Sequence, residues 1–400
     1  MSQTTTLHDR ATSLADRTIA TRRDLHRHPE IAFEETRTMG VVADRLRELG
    51  LTPRTGVGGT GVVAVWDTGR PGPTVLARAD MDALPVPDDK QVDYRSTRSG
   101  VNHACGHDGH VAVLLSVVEA LRAEEAQLRG RMVFVFQPAE EIVRGAEAML
   151  ADGALDGLEI DHVLGLHLST MHPTGVVAIR EGPAMAATDT FTITVHGRGG
   201  HAAKPHETVD PIVVGAHLVM ALQTLVSRER DPVDQAVISV TRVHGGTAFN
   251  IVPESVELSG TLRTFEADTR ETMERRIRAV AEGVAATHLA TTTIDWASGS
   301  PALVNDAAAT ARLRAVAQRV VGPDHVRENA LMMGGDDMAL WLQRAPGCYL
   351  FVGANGGQDS SWPHHHPRFD LDEAALPLAV ELFAEGIVDL LSTPVPLALD

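Results

Sequence analysis

The chain has 400 residues, a formal net charge of −18 at pH 7 and 44% hydrophobic residues. This size favours two domains, or one domain that carries an insertion. The acidic balance argues against nucleic acid and anionic membranes as partners, because both attract basic patches. No apolar run is long enough to span a bilayer, and residues 1–10 are too polar for a secretory signal. Cys105 and Cys348 cannot form a disulfide framework, so we expect both to be reduced in a cytoplasmic protein.

The first half of the sequence alternates between helical and strand-like patterns. In chain order we predict helices at 14–28 and 34–49, strands at 61–66 and 73–80, a helix at 108–123, a strand at 131–136, a helix at 144–150 and a strand at 162–166. This alternation calls for a mostly parallel sheet covered by helices on both faces.

The pattern then changes to the order β-α-β-β-α-β, which is typical of a ferredoxin-like unit. The segments are strands at 189–197, 236–243, 255–262 and 290–296, with helices at 209–226 and 269–287. Three more helices, at 306–321, 337–343 and 372–391, and a strand at 347–352 follow. We therefore predict an α/β fold, with a mostly parallel-sheet catalytic domain of residues 1–185 and 297–400 and an inserted α+β domain at 186–296.

The glycine-rich segment 56–61, GVGGTG, fits the G-x-G-x-x-G dinucleotide fingerprint. That fingerprint works only after a strand and at the start of a helix. Residues 51–55 do not predict a strand, and a strand rather than a helix follows. We therefore expect no nucleotide site, and the signatures of serine hydrolases, zincins and P-loop proteins are also missing.

The segment 102–110, NHACGHDGH, concentrates one thiol and three imidazoles. Thiolate and neutral imidazole suit a first-row divalent metal. Two adjacent carboxylates, Glu140 and Glu141, follow the predicted strand at 131–136. One carboxylate can bind metal while its neighbour handles the proton of a metal-bound water. The two segments together indicate a metal-dependent hydrolase.

Further candidate ligands come after other predicted strands, at the edge where an open α/β sheet places its sites. Asp80 ends one strand and His167 ends another, and the run 362–367, WPHHHP, follows the strand at 347–352. Taken alone, that histidine run would be read as an exposed loop. Four other donors are expected at the same edge of the sheet, and this favours the histidine run as the source of a fifth ligand.

These residues carry a resemblance to a known family. The chain resembles the M20 metallopeptidases, within them the amidohydrolase branch of aminoacylases, hippurate hydrolases and auxin-conjugate hydrolases. The matching blocks are LHRHPEIAFEE at 25–35, RADMDALPV at 78–86, HACGHDGH at 103–110, FQPAEE at 136–141, GLH at 165–167, GRGGHAAKPHETVDPI at 197–212, FNIVPESVELSGTLRTF at 249–265 and HHPRFDLDE at 365–373.

The resemblance implies two divalent metal ions, zinc or manganese, with cobalt and nickel as alternatives. It assigns the metal ligands to Cys105, His107, Glu141, His167 and His365. It implies Glu140 as the general base and Asp80 as an acid that orients a neighbouring group. His201 would reach the reacting carbonyl in the partner subunit of a dimer, and Asn250 and Arg263 would contact the substrate carboxylate. The inserted domain resembles a dimerisation or lid domain, so we expect a homodimer or a tetramer.

The expected reaction is hydrolysis of an N-acyl amino acid to a carboxylic acid and a free amino acid. A dipeptidase or carboxypeptidase is the alternative within the family, and a non-catalytic binding relative or an oxidoreductase would be a different class. The chain departs from the family pattern at 333–338, MGGDDM, where Asp336 and Met338 stand in place of Glu and Phe. That departure concerns the substrate pocket rather than the metal ligands.

Overall fold

A computed structural model of the chain describes residues 6–392, and these residues form two compact units. The first unit contains the described parts of 1–184, 304–330 and 336–400, and the second contains 185–303 and 331–335. In sequence, the second unit therefore interrupts the first.

The helices follow the predicted order with shifts of a few residues at most of their ends. They are α1 (Leu7–Arg27), α2 (Thr36–Glu48), α3 (His107–Arg122), α4 (Gly145–Ala151), α5 (Pro211–Glu229), α6 (Ala267–Thr287), α7 (Ala307–Val321), α8 (Met338–Leu342) and α9 (Ala375–Leu391). The largest difference is the start of α1, which lies seven residues before the predicted Leu14. Thr6 and Asp9 form a reciprocal capping box there, which satisfies amides at the first turn.

The strands include every predicted one and several short additional ones. They are β1 (Arg54–Val57), β2 (Gly61–Asp67), β3 (Thr74–Asp80), β4 (Arg131–Gln137), β5 (His162–Pro173), β6 (Val177–Ile179), β7 (Gly182–Met185), β8 (Ala187–His196), β9 (Gly200–His201), β10 (Ala236–Gly245), β11 (Ile251–Val252), β12 (Ser255–Thr264), β13 (Thr291–Ser298), β14 (Leu303–Asn305), β15 (Val326–Glu328) and β16 (Gly347–Asn355).

The first unit is built on a sheet with the strand order β1-β2-β4-β3-β5-β16-β6-β15. Its central pairs β4–β3, β3–β5 and β5–β16 are parallel, whereas β1–β2 and β2–β4 are antiparallel. Every residue of β3 is buried, as expected for a parallel strand with both faces covered. Parallel strands place their carboxyl ends at the same edge, so Asp80 lies in register with Gln137 at the ends of β3 and β4.

The prediction that no strand precedes the glycine-rich segment 56–61 is wrong. Strand β1 pairs antiparallel with β2, and Gly58 and Gly59 lie in the turn of this hairpin. Gly58 has a φ of +64°, and a Cβ atom there would lie 2.5 Å from the backbone nitrogen of Met149. The glycines therefore serve a tight turn and a close backbone approach, and no helix follows that could receive a phosphate.

The second unit contains the predicted β-α-β-β-α-β order in β8, α5, β10, β12, α6 and β13. Its antiparallel sheet has the order β10-β12-β8-β13. The two helices share a core with one face of this sheet, which includes Phe191, Ile193 and Leu258. Among the described residues, α5 is the one helix long and apolar enough to cross a membrane by length and composition, and 33% of its apolar window is buried.

Candidate metal centre

The thiol and the first imidazole come from the loop that leads into α3. Gly106 caps this helix with a φ of +91°, a conformation that glycine adopts without strain. The turn leaves Cys105 before the helix and His107 at its first residue. Cys105 Sγ lies 3.5 Å from His167 Nε2 at the edge of the sheet.

Backbone carbonyls fix the ring orientation of two predicted ligands. His107 Nδ1 donates to the carbonyl of Asp82 at 2.9 Å, and His167 Nδ1 donates to the carbonyl of Leu168 at 2.7 Å. Each ring therefore directs its Nε2 lone pair into the site, which is how a second hydrogen bond orients a metal-binding histidine. His107 Nε2 has no hydrogen-bond partner among residues 6–392.

The third histidine of the segment, His110, has a supporting position instead. Its Nε2 accepts from the backbone amide of Leu168 at 2.9 Å, so its Nδ1 donates to Asp80 at 2.6 Å. The second carboxylate oxygen of Asp80 accepts from Arg78 at 2.6 Å. Asp80 lies 3.8 Å from His107 Nε2 and thereby adds negative charge beside a predicted ligand.

Two buried carboxylates hold the loop that carries Glu140 and Glu141. Asp82 accepts from both backbone amides of that pair at 3.0 Å, and Glu35 accepts from the amide of Ala139 at 2.9 Å. Ala139 has a φ of +53°, an uncommon conformation for a residue other than glycine. Sequence reasoning missed Asp82, although the repeated acid in the segment RADMD, two residues after Asp80, was a usable signal.

Burial controls the protonation of the acidic groups in this site. It raises the pKa of Glu140 well above its usual range and that of Glu141 to about 7, and nearby carboxylates add to both effects. Burial also raises the pKa of the Cys105 thiol. Burial alone would lower the pKa of His107, but the acids around it, Asp80, Asp82 and Glu141, together outweigh burial and raise the value to about 10. Without metal the site therefore holds protons that a bound cation would displace.

The donors form two groups that share Cys105. One group is Cys105, His107 and Glu141, the other is Cys105, His167 and His364, and in each the ligand atoms lie within 4.8 Å of one another. Glu141 Oε1, like His107 Nε2, has no hydrogen-bond partner among the described residues. Thiolate, imidazole and carboxylate donors with orphaned buried atoms fit borderline divalent metals.

The histidine run contributes two neighbouring side chains to this region. His365, the predicted ligand, places Nε2 at 3.3 Å from Glu141, and its side chain is 55% exposed. His364 places Nδ1 at 3.7 Å from Cys105 Sγ. Burial, with the neighbouring histidines, lowers the pKa of His364 to about 3, so its imidazole is neutral.

The second half of the departure at 333–338, residues 336–338, lies in the buried support of the Glu140 loop. Asp337 accepts from Arg78 at 2.9 Å, from the side chain of Gln137 at 2.6 Å and from the amide of Ala146 at 2.9 Å. Asp336 joins Asp337 and Glu140 in a buried group of acids. Met338 is fully buried at the start of α8.

The remaining predicted residues belong to the second unit. His201 and Asn250 are exposed and lie close together, because β9 pairs with β11 and the amide of Ala202 donates to the carbonyl of Asn250 at 3.0 Å. Arg263 lies near the far end of β12 and donates to the carbonyl of Asp189 at 3.3 Å. Within this unit His201 and Asn250 are therefore neighbours, and Arg263 lies at a different place, near the other end of β12.

The fold and the site are those of a metal-dependent hydrolase. In this class of enzyme the metal ligands lie at the carboxyl edge of a mostly parallel sheet. The profile of peptidase family M20/M25/M40 matches residues 76–389. The chain belongs to this family.

Relatives and solved structures cover nearly the whole chain. N-acetyl-L-cysteine deacetylase of Bacillus subtilis is 38% identical over 364 residues, which cover 91% of this chain and 86% of that protein. Thermostable carboxypeptidase 2 of Saccharolobus solfataricus is 38% identical over 370 residues, covering 91% and 93%. The crystal structure of the Bacillus subtilis YXEP protein, a dinuclear metal binding peptidase from the M20 family, matches with a TM-score of 0.83 at 34% identity and covers 96% of this chain and 100% of that chain.

Proposed function

We propose that this enzyme is an amidohydrolase that cleaves N-acyl amino acids to a carboxylic acid and a free amino acid, using two divalent metal ions. The observation that carries this proposal is the pair of donor groups that share Cys105, with the carboxylate of Glu140 at 3.8 Å from His107 Nε2. The similarity to a deacetylase of N-acetylcysteine supports a small N-acyl amino acid as substrate.

The proposed roles follow from the surroundings of each side chain. Two ions, zinc or manganese, would supply Lewis-acid activation of the amide carbonyl and of a water molecule. Glu140 would accept the proton of that water and pass it to the leaving amine, and a pKa raised by burial favours both transfers. Asp82 holds the backbone of Glu140 and Glu141, and Asp80 fixes the charge beside His107.

Variants of the two adjacent glutamates test these roles. Glu140→Gln removes the base and keeps the ligands, so metal content should persist while kcat falls by roughly 10²–10⁴. Glu141→Ala should lose metal as well as activity. Metal content by elemental analysis and turnover of acetyl, benzoyl, indoleacetyl and long-chain acyl amino acids give the two readouts. Near wild-type kcat in Glu140→Gln, or full turnover after exhaustive chelation, would contradict the proposal.

The alternative activity is that of a carboxypeptidase or dipeptidase. It is favoured by the similarity to a thermostable carboxypeptidase, which is as great as that to the deacetylase. Both reactions hydrolyse an amide, so the same centre serves either one. Faster turnover of dipeptides or blocked peptides than of every N-acyl amino acid in the panel would select this alternative.

We also propose that residues 186–296 form a dimerisation and lid domain of a cytoplasmic homodimer. In support, α5 exposes Ile212, Val213 and Met220, and β10 is an edge strand of its sheet. An apolar helix face beside a free strand edge suits a two-fold contact, which uses one surface twice. Light scattering of the purified chain gives the oligomeric state.

In this dimer His201 would serve the partner's site as an oxyanion donor, with Asn250 and Arg263 at the substrate carboxylate. His201→Ala should lower kcat by about 10²–10³, the cost of one oxyanion donor, and leave metal content unchanged. Mixing His201→Ala with Glu140→Gln under subunit exchange should restore activity, because a heterodimer contains one site with both wild-type residues. Exchange without recovery would place His201 outside the partner's site.

A further inference from the structure

The histidine run 364–366 is fixed against the metal-binding loop by backbone hydrogen bonds. The amide of His365 donates to the carbonyl of Ala104, next to Cys105, at 2.7 Å. On the other side of the run, Thr170 Oγ1 donates to the carbonyl of Trp362 at 2.9 Å. These bonds join the run to both segments that carry the ligands Cys105 and His167.

The backbone turns at the middle histidine and sends successive rings to different places. His365 has a φ of +68°, which is uncommon for a side chain of this size. Its ring reaches Glu141, whereas the ring of His364 lies 5.1 Å from that of His167, centre to centre, in an edge-to-face arrangement. The ring of His364 also packs against that of Phe369, with the ring centres 4.8 Å apart.

We propose that His364 is a metal ligand and completes, with Cys105 and His167, the site of one of the two ions. Its Nδ1 lies 3.7 Å from Cys105 Sγ, and His167 Nε2 lies 3.5 Å from the same sulfur. These three atoms could bind a cation without a movement of the backbone, because they already lie within 4.8 Å of one another. The family resemblance assigns only His365 in this run, so His364 is an addition to that set of ligands.

This ligand completes a second donor group and influences the choice of metal. Cys105 belongs to both groups: with His167 and His364 it would hold one ion, and with His107 and Glu141, next to His365, the other. One thiolate and two imidazoles form a set that suits zinc or cobalt better than manganese, which prefers oxygen ligands. The inference rests on the metal centre of the proposed function.

The run itself provides a matched control. His366 stacks on Trp362 with ring centres 4.3 Å apart, and its Nδ1 accepts from the amide of Arg368 at 3.0 Å. It belongs to none of the donor groups found among the described residues. His366→Asn therefore removes an imidazole from the same segment without removing a proposed ligand.

The test is a titration of the metal-free full chain with Co²⁺ and with Zn²⁺, with no substrate present. Calorimetry gives the stoichiometry and dissociation constants, and the visible spectrum of bound cobalt reports its ligands. His364→Leu should bind one of the two ions at least about 10-fold more weakly and should change the cobalt spectrum. A 10-fold loss of affinity is about the smallest effect expected even for a residue that only hydrogen-bonds to a metal ligand. His366→Asn should match the wild type in both measurements.

Each outcome has a separate meaning. Two ions with unchanged affinity and spectrum in His364→Leu would overturn the role of His364 and leave the proposed function intact. A wild-type chain that binds no metal would overturn both. Should His364→Leu not fold, as judged by circular dichroism, the cobalt-loaded wild type provides the test through its paramagnetically shifted histidine resonances. Signals from His107, His167 and His365 without one from His364 would refute the inference.

Discussion

Arg78 is the buried cation that balances the acids beneath the metal centre, and its replacement tests this balance. The guanidinium is 1% exposed and donates to Gln137 at 2.9 Å, to Asp80 at 2.6 Å and to Asp337 at 2.9 Å. Arg78→Met keeps an unbranched apolar stem and removes the charge and all three hydrogen bonds. Three buried carboxylates, Asp80, Asp336 and Asp337, then lose their cation.

The expected loss can be compared with other buried ion pairs. Removing one partner of such a pair leaves an uncompensated charge and costs about 3–5 kcal/mol. Part of this cost is avoided if a carboxylate takes up a proton, and Asp337 is the group that can do so, because burial raises its pKa to about 7. We therefore expect a decrease of about 3 kcal/mol in the free energy of unfolding at pH 8, the lower end of that range, and a smaller decrease at pH 6.

The measurement is urea denaturation of the metal-free chain, with a chelator present so that ion binding does not add to stability. Trp66 and Trp341 are buried in the first unit and report its unfolding by fluorescence. Arg47→Met is the control, because Arg47 is 55% exposed and pairs with the exposed Asp44, so this variant should cost under ~1 kcal/mol. Equal losses in Arg78→Met and Arg47→Met would refute the reasoning.

Three further predictions concern the same region. Because the folded, metal-free chain keeps a proton on His107 up to a pKa of about 10, while the unfolded chain releases it near 6.5, the free energy of unfolding should fall as pH rises between these values. The metal-loaded chain should lack this slope, and a rise with pH in the metal-free chain would contradict the assignment. Gly145→Ala should lower kcat and the melting temperature, since its Cβ would lie 1.6 Å from the carbonyl oxygen of Pro138. Unchanged values would contradict this prediction, because they would mean that the backbone at Pro138 moves aside at no cost. Glu35→Ala leaves the amide of Ala139 without its acceptor and should cost about 1–3 kcal/mol in urea denaturation, with a lower kcat at unchanged metal content.

Local patterns in the sequence were enough for the elements and for most donors. Apolar runs predicted β3, β4 and β5. Glu141 follows the end of β4, whereas His167 lies inside β5, two residues beyond the pairing of Gly165 with Arg78 near the end of β3. Parallel strands bring their carboxyl ends to one edge whatever their order in the sheet. For this reason the sequence alone was enough to predict that Cys105, Glu141 and His167 lie close together.

The additional short strands β6, β9, β11 and β15 were beyond the reach of those patterns. They have two or three residues each, so they show no recognisable periodicity. Strand β1 is held by its hairpin partner β2, and its exposed residues carry no apolar alternation. Such strands form because a neighbour supplies hydrogen-bond partners, which is a tertiary property.

Tertiary structure alone decided what each polar side chain does at the site. Asp82 and Glu35 hold the Glu140 loop through backbone amides far away in the sequence. Both ring nitrogens of His110 are engaged, Nε2 by the amide of Leu168 and Nδ1 by Asp80. Residue type predicts which groups can bind a cation or donate a proton. Which lone pair remains free depends on the long-range hydrogen bonds that the folded chain makes, and the sequence does not encode these at any fixed spacing.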